Sequence, residues 1–265
     1  MKPIVSEAAL QSSPEQARFR DELRDFFRFV RRPRFGPRLG GRHAGNGGWE
    51  DWFPSLSVGR LLKWALFLWG VNLAFLGPIA VMAAGAGGAT HRLDIHNIPW
   101  VQALLWAPIV EELVFRYGLR RIGQAWWLVP ASATALFMGP KPATIFLVTA
   151  IVLACWLPFM RTAPARARNG LSWGLRLRYR RHFFWVFHLA SLLFAAMHLY
   201  NFNLHHTPLW LLPLLVLPQW LTGLVLGWLR VKRGIGASML LHAIFNGGPL
   251  LVVLLILRYA PQLAT

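Results

Sequence analysis

Cysteine is nearly absent from this sequence, since Cys155 is the only one in 265 residues. A lone thiol excludes an internal disulfide and any zinc cluster that needs several thiolates. Acidic residues are scarce as well, with 10 Asp and Glu against 28 Lys and Arg. The first sixty residues contain no apolar core of the signal-peptide type, so nothing in them marks secretion. No internal repeat is evident.

Apolar residues are abundant and make up 55% of the chain, whereas charged residues make up 14%. The mean hydropathy of +0.42 is too high for an ordinary soluble domain. Lys and Arg lie in short blocks between apolar segments, as in cytoplasmic loops, and not in one nucleic-acid-binding patch. The sequence therefore predicts an all-α fold, a polytopic transmembrane helical bundle of about seven spans within a range of six to eight, which binds no nucleic acid.

The spans are predicted from the apolar stretches and from the breaks between them. Residues 125–160 are divided by the Gly-Pro-Lys-Pro sequence at 139–142, which favours two short spans, and a break is also expected at 247–249. The other stretches lie at about residues 61–84, 98–115, 183–200, 208–229 and 235–258. We expect seven spans because this number places every basic block on one side, with a cytoplasmic amino terminus.

The amino-terminal region, residues 1–58, is expected to form a basic cytoplasmic or interfacial arm before a transmembrane domain at residues 59–265. Phe19, Leu23, Phe26 and Val30 recur at helical spacing among arginines. Two interpretations stay open for this amphipathic helix: it lies on an anionic membrane surface, or it is a solvated arm.

Two adjacent carboxylates, Glu111 and Glu112, end the second apolar stretch. Carboxylates in a membrane span survive where they face a protein interior or a wet cavity and have partners. Glu112 and Arg116 are four residues apart and share one helical face, whereas Glu111 points about 100° away. The spacing predicts an orienting pair beside a working acid; the alternative is a solvated helix end just outside the membrane.

Further polar residues interrupt two later spans. His198 follows Phe194 by one helical turn, and His242 and Asn246 are four residues apart. A single histidine of this kind is more often a packing residue, but together with Glu111, Glu112 and Arg116 these groups can supply one another with buried partners.

The order Glu-Glu-x-x-x-Arg, Phe-x-x-x-His and His-x-x-x-Asn, each within an apolar span, resembles the intramembrane CPBP proteases, which include CAAX prenyl endopeptidases and bacteriocin-processing enzymes. The resemblance covers about residues 98–249, with an insertion at 124–182 that we interpret as an extra hairpin and a basic loop. It implies proteolysis of a membrane-embedded or lipidated peptide or protein substrate. With the lack of a targeting segment, it also implies a multi-pass protein of the bacterial inner membrane.

The resemblance suggests a role for each motif residue in amide hydrolysis, which needs a base, oxyanion donors and a proton for the leaving amine. Glu111 and His198 would hold and deprotonate the water, and Glu112 with Arg116 would fix the helix and its charge state. His242 and Asn246 would donate to the oxyanion. No cofactor is expected; the alternative is a zinc site held by Glu112, His198 and His242.

Two other classes of function remain open at this stage. Intramembrane Glu, Arg and His also mark the ion pathways of proton-coupled transporters and channels. A non-catalytic membrane scaffold or immunity protein could keep the same fold. The sequence does not indicate an oligomeric state.

Overall fold

The computed structural model describes residues 18–36, 51–54, 56–94, 97–160 and 172–259. Within these residues, ten α-helices joined by short π-helical and 3-10 turns form one bundle, which confirms the predicted all-α fold. In chain order they are α1 (Phe19–Arg31), α2 (Val58–Val71), α3 (Gly77–Gly87), α4 (Ala107–Phe115), α5 (Ile122–Met138), α6 (Pro142–Met160), α7 (Trp173–Met197), α8 (Leu212–Leu215), α9 (Leu217–Lys232) and α10 (Ile235–Tyr259). Two-residue strands β1 (Thr90–His91) and β2 (Phe202–Asn203) pair in antiparallel fashion.

The predicted division between α5 and α6 is confirmed. Gly139 ends α5 with a φ of 73°, a left-handed value that favours glycine. Thr144 then accepts a hydrogen bond from the Lys141 amide at 2.9 Å and so caps the start of α6. The two helices pack against each other, so residues 122–160 form a hairpin.

The prediction of a helix break at residues 247–249 is wrong, because α10 continues through Pro249. Pro249 has no N–H to donate to the carbonyl of Phe245, four residues earlier. That carbonyl instead accepts a hydrogen bond from the indole Nε1 of Trp69, on α2, at 3.0 Å. A neighbouring helix therefore satisfies the backbone group that proline leaves unpaired, and the helix is not interrupted.

Helix α7 also begins earlier than expected, at Trp173 instead of about residue 183. The side chain of Ser172 caps it by accepting a hydrogen bond from the Leu175 amide at 3.4 Å. The last eleven residues of the predicted basic loop, 172–182, are therefore helical or form the cap, and its earlier part, residues 161–171, lies outside the described residues.

Three segments are long and apolar enough to cross a membrane, namely Val58–Gly87, Trp173–Asn201 and Ile235–Tyr259. A fourth would combine Leu209–Leu215 with Leu217–Lys232, which are bent by 50°. Large apolar side chains cover the outside of the bundle; Leu73, Trp126 and Phe146, for example, are 77–79% exposed. These features establish a membrane protein, while the count of seven spans stays a prediction.

The loops predicted to share a side of the membrane meet at the same end of the bundle. Strands β1 and β2 join the turn around His91 to residues 201–207. Arg120 donates hydrogen bonds to the carbonyls of Val231 and Gly36. These bonds link three segments that are predicted to be cytoplasmic: the turn after α4, the end of α9 and the amino-terminal region. The grouping of the loops agrees with the charge pattern, and the cytoplasmic location of the amino terminus stays a prediction.

Helix α1 packs on the bundle through its apolar face. Phe26 and Phe29 are 1% and 6% exposed and belong to the same core cluster as Trp64 and Trp228. Side chains of the bundle thus cover much of the apolar face of α1, for which the sequence had suggested a membrane surface or solvent. The division of the chain at residue 58 stays a prediction.

Close packing of α9 on α7 depends on two glycines. A Cβ on Gly223 would lie 3.0 Å from the ring of Phe194, and one on Gly227 would lie 2.8 Å from the ring of Phe187. The small-xxx-small spacing of these glycines is therefore used for helix contact, as the sequence suggests. It also brings α9 beside the motif residue Phe194.

Candidate active site

Glu111 and Glu112 lie on α4, which follows a π-helical turn at Gln102–Trp106. Glu112 is completely buried, whereas the Glu111 side chain is 16% exposed. The two carboxylates thus point to different surroundings, as expected of consecutive helical positions. Glu112 is therefore the carboxylate held by fixed partners, and Glu111 is the one that could take part in chemistry.

Three side chains surround the carboxylate of Glu112. Arg116 donates from Nη1 to Oε1 at 2.7 Å, which confirms the predicted pairing. Nδ1 of His242 lies 3.1 Å from the same oxygen, and the hydroxyl of Ser238 contacts Oε2. A carboxylate only accepts, so the proton between Glu112 and His242 belongs to Nδ1 of the imidazole. Glu112 therefore orients His242 and leaves its Nε2 directed elsewhere.

Glu111 lies on the other side of His242. Its Oε2 is 3.8 Å from Nε2 of His242, too long for a direct hydrogen bond, and accepts no hydrogen bond from any described residue. A separation of this size between two polar atoms suits a bridging water. The order Glu112, His242, Glu111 thus places a buried carboxylate oxygen, unsatisfied among the described residues, beside a ring nitrogen.

The ring of Phe194 is the contact that brings the other motif residues together. The guanidinium of Arg116 stacks over it at 3.7 Å, a cation–π arrangement. The rings of His198 and His242 lie 4.7 and 5.8 Å from it, centre to centre. The first and last residues of the Phe-x-x-x-His motif therefore both take part, the phenylalanine as a wall between a cation and two imidazoles.

His198 ends α7, where the helix changes to a 3-10 turn. Its Nδ1 lies 2.8 Å from the Phe194 carbonyl, which can only accept, so Nδ1 carries a proton. The lone pair of Nε2 is then free to accept. His198, His242 and Arg116 all contact the ring of Phe194, so the structure brings His198 beside the other motif residues.

Asn246 lies one helical turn after His242 on α10 and contacts the segment that leads into α4. Its Nδ2 donates to the carbonyl of Ala103 at 3.0 Å. In the π-helical turn the Ala107 amide bonds five residues back, to Gln102, so the next carbonyl, Ala103, would need an N–H from Pro108. Proline has none, and the amide of Asn246 takes its place. One of the two Nδ2 protons is used in this way.

A family model described as "Type II CAAX prenyl endopeptidase Rce1-like" matches residues 96–248, more than half of the chain. The chain belongs to this Rce1-like family of CAAX-type intramembrane endopeptidases. No curated protein and no solved structure matches the chain with comparable significance. The match begins and ends within two residues of the region, 98–249, that the motifs indicated. The predicted extra hairpin therefore lies within the family's region.

Ser238 is the contact that reasoning from the sequence missed in this Rce1-like chain. It is buried, and its hydroxyl lies within reach of both Glu112 and the carbonyl of Leu226. It precedes His242 by four residues, so it lies on the same face of α10 as His242 and Asn246. The four-residue spacing from His242 could have indicated that Ser238 belongs to the site. A serine in an apolar helix, however, usually forms a hydrogen bond with its own backbone and so does not by itself indicate a site.

A buried arginine from α9 supports the carboxyl end of α4. Arg230 donates to the carbonyls of Arg116 and Tyr117, each at 3.1 Å, and forms an ion pair with Asp51 at 2.7 Å. Carbonyls at the end of a helix have no partners within the helix. Here the amides of Leu119 and Arg120 bond to the two carbonyls after the helix, and Arg230 adds a side-chain donor to each, which fixes the segment that ends in Arg116.

The zinc alternative needs Glu112, His198 and His242 as ligands. Both oxygens of Glu112 already have partners, Arg116 and His242 on one and Ser238 on the other. His242 turns its Nδ1 towards that carboxylate, and a cation lies beside it. Among the described residues, no three His, Cys, Asp or Glu side chains are arranged as a metal site. This ligand set does not fit zinc as it stands.

Proposed function

We propose that this member of the Rce1-like family hydrolyses a peptide bond in a membrane-embedded or lipidated substrate, with water activated by Glu111. The observation that carries the proposal is the unsatisfied Oε2 of Glu111, 3.8 Å from Nε2 of His242. A general base must lie within hydrogen-bond reach of the water whose proton it takes. A water between these two atoms would meet that requirement.

The remaining roles follow from the hydrogen bonds. The Nε2 atom of His198 can accept from the same water or from the leaving amine, because its Nδ1 proton is held by the Phe194 carbonyl. We assign oxyanion donation to a protonated His242, which Glu112 stabilises, and to the second Nδ2 proton of Asn246. Arg116 balances the two carboxylates, and its buried Nη2 has no hydrogen-bond partner among the described residues.

The balance of atoms is that of simple amide hydrolysis. Glu111 accepts a proton from water as the oxygen attacks the carbonyl carbon, and the oxyanion forms beside His242 and Asn246. When the C–N bond breaks, the proton held by Glu111 passes to the departing amine. No cofactor takes part in these steps.

Cleavage of fluorogenic peptides by the purified protein in detergent tests this function. Prenylated and unprenylated versions of each peptide determine whether the lipid is required. We expect Glu111→Gln, which keeps the shape but removes the base, to lower kcat by about a hundredfold or more. Asp21→Asn is the matched control, since it removes a carboxylate that is 52% exposed and, among the described residues, forms an ion pair with Arg24 alone.

A Glu111→Gln variant that keeps wild-type turnover would overturn the assignment of the base. A strong chelator is the second arm of the same assay. We expect activity to survive chelation; loss that zinc restores would instead support the metal mechanism.

A further inference from the structure

A second cleft, away from the motif residues, lies between the starts of α5 and α7. It has a volume of about 250 Å³. Its walls combine basic and apolar side chains, chiefly Arg121, Ile122, Trp173, Arg176, Leu177 and Arg180. No acidic residue is among the described residues that line it. We call it the α5–α7 cleft.

Two of the cleft's arginines carry charge that the described protein does not balance. Arg176 and Arg180 are one turn apart on α7 and form no ion pair with a described residue. Like charges at this spacing repel each other. They also lie in the amino-terminal part of a helix with no acidic residue in its first turn, where the helix dipole disfavours cations. An external anion between them would relieve both costs.

The apolar wall indicates what kind of anion it is. Trp173 is 69% exposed and Leu177 48% exposed, although they border a charged cleft. The apolar part of α7 begins at Phe183, so Arg180 and Arg176 lie roughly 5 and 10 Å beyond it along the helix. The headgroup layer of a bilayer extends about 5–8 Å beyond each side of the hydrocarbon core. Arg180 is therefore at the level of the lipid headgroups, and Arg176 lies at their outer edge, where the phosphate of a lipid can reach both side chains.

We propose that the α5–α7 cleft binds the headgroup of an anionic phospholipid, with its phosphate between Arg176 and Arg180 and its chains directed along α7 towards the apolar part that begins at Phe183. Guanidinium groups form strong charge-assisted hydrogen bonds with phosphate oxygens. Basic pockets between membrane helices are suited to anionic lipid headgroups. The site is separate from the proposed catalytic residues, and binding does not depend on their assignment.

Equilibrium binding of a short-chain phosphatidylglycerol to the full-length protein, in a neutral detergent, tests the proposal. The matching phosphatidylcholine measures binding without net headgroup charge. We expect Arg176→Gln with Arg180→Gln to weaken phosphatidylglycerol binding on the order of tenfold. The matched control is Arg20→Gln with Arg178→Gln, which removes two exposed charges outside the cleft. Thermal unfolding of each variant shows that it is folded.

Selective loss in the first double variant, with the control unchanged, supports the site. Equal binding by wild type and the Arg176/Arg180 variant overturns it, as does equal binding of the two lipids by wild type. Inorganic phosphate added as a competitor distinguishes a site for a lipid headgroup from a site for free phosphate. If phosphate displaces the lipid at an equal concentration, the cleft is a free-phosphate site and the lipid proposal is wrong.

Discussion

Glu112 and Glu111 are neighbours in the chain but have opposite situations. Glu112 is enclosed by Arg116, Ser238 and His242, whereas one oxygen of Glu111 receives no hydrogen bond from the part of the chain that the structure describes. An ionised carboxylate in a buried place is tolerated when each oxygen is paired. The fully paired residue suits an orienting role, and the incompletely paired one suits chemistry.

Ser238 tests whether the environment of Glu112 matters for catalysis. Ser238→Ala removes a buried donor and should cost about 1–3 kcal/mol of folding stability. It should also reduce kcat, because Glu112 would no longer hold His242 in one position. Ser191→Ala is the matched control, since Ser191 is equally buried but donates only to the Phe187 carbonyl. Peptide cleavage and thermal unfolding are measured for both variants. An equal effect of the two substitutions on kcat would contradict a role of Ser238 in positioning Glu112 and His242.

Prolines shape the helices that carry the site. Pro108 in α4 leaves the carbonyl of Ala103 unpaired, and Pro249 in α10 leaves that of Phe245 unpaired. Asn246 and Trp69, each from another helix, donate to these carbonyls. The breaks in backbone bonding thereby become contacts between helices, which hold α4 and α2 against α10.

The contact of Trp69 with α10 requires a glycine. A Cβ on Gly248 would overlap the indole of Trp69, so Gly248→Ala must displace that ring and its hydrogen bond to Phe245. We expect a loss of about 1–3 kcal/mol in the free energy of unfolding. Gly85→Ala on α3 is the control, because nothing lies within 4 Å of its added Cβ. It should be neutral or stabilise by up to about 1 kcal/mol. Equal losses for the two variants would show that the contact is unimportant.

A double-mutant cycle separates the two roles of Asn246. Asn246→Ala leaves the Ala103 carbonyl without its donor and should cost about 1–3 kcal/mol of stability. In a Pro108→Ala background, which restores a backbone N–H, the cost should be smaller. Peptide cleavage should stay low in the double variant if Asn246 donates to the oxyanion. Recovery of cleavage together with stability would show instead that Asn246 acts only through the backbone.

The complete bundle includes the amino-terminal helix through buried ion pairs. Glu22 on α1 is 2% exposed and pairs with Arg233 at 2.6 Å, beyond the end of α9, and its other oxygen accepts from Trp64. Asp25 accepts from the indole of Trp228 at 2.9 Å. These contacts join α1 to α2 and α9, and α9 in turn carries Arg230, which supports the end of α4.

Glu22 therefore should matter far more than its neighbour Asp21. Glu22→Ala removes a buried carboxylate partner of Arg233 and should cost about 3–5 kcal/mol. Asp21→Ala breaks an exposed pair with Arg24, at 3.6 Å, and should change stability by less than about 1 kcal/mol. Thermal unfolding in detergent measures both. Equal midpoints for the two variants would mean that α1 is not part of the cooperative unit.

The class of fold, the grouping of loops and, through its three motifs, the family could be predicted from the sequence. Each depends on local properties: apolar stretches of span length, basic blocks between them, and polar residues four apart on one helical face. The division of labour between Glu111 and Glu112 follows from the same geometry. The family match over residues 96–248 confirms the interpretation of the motifs.

Contacts between distant segments determined the rest. Ser238 and Glu112 are 126 residues apart, and Trp69 and Phe245 are 176 apart. Whether proline breaks a helix depends on whether another helix satisfies the carbonyl that it leaves free, and no local pattern contains that information. The same holds for α1, since an amphipathic helix has one apolar face whether lipid, water or protein lies against it. Whether a helix continues and what covers its apolar face depend on contacts between distant segments, because a buried polar group is destabilising unless a partner from elsewhere in the fold pairs with it.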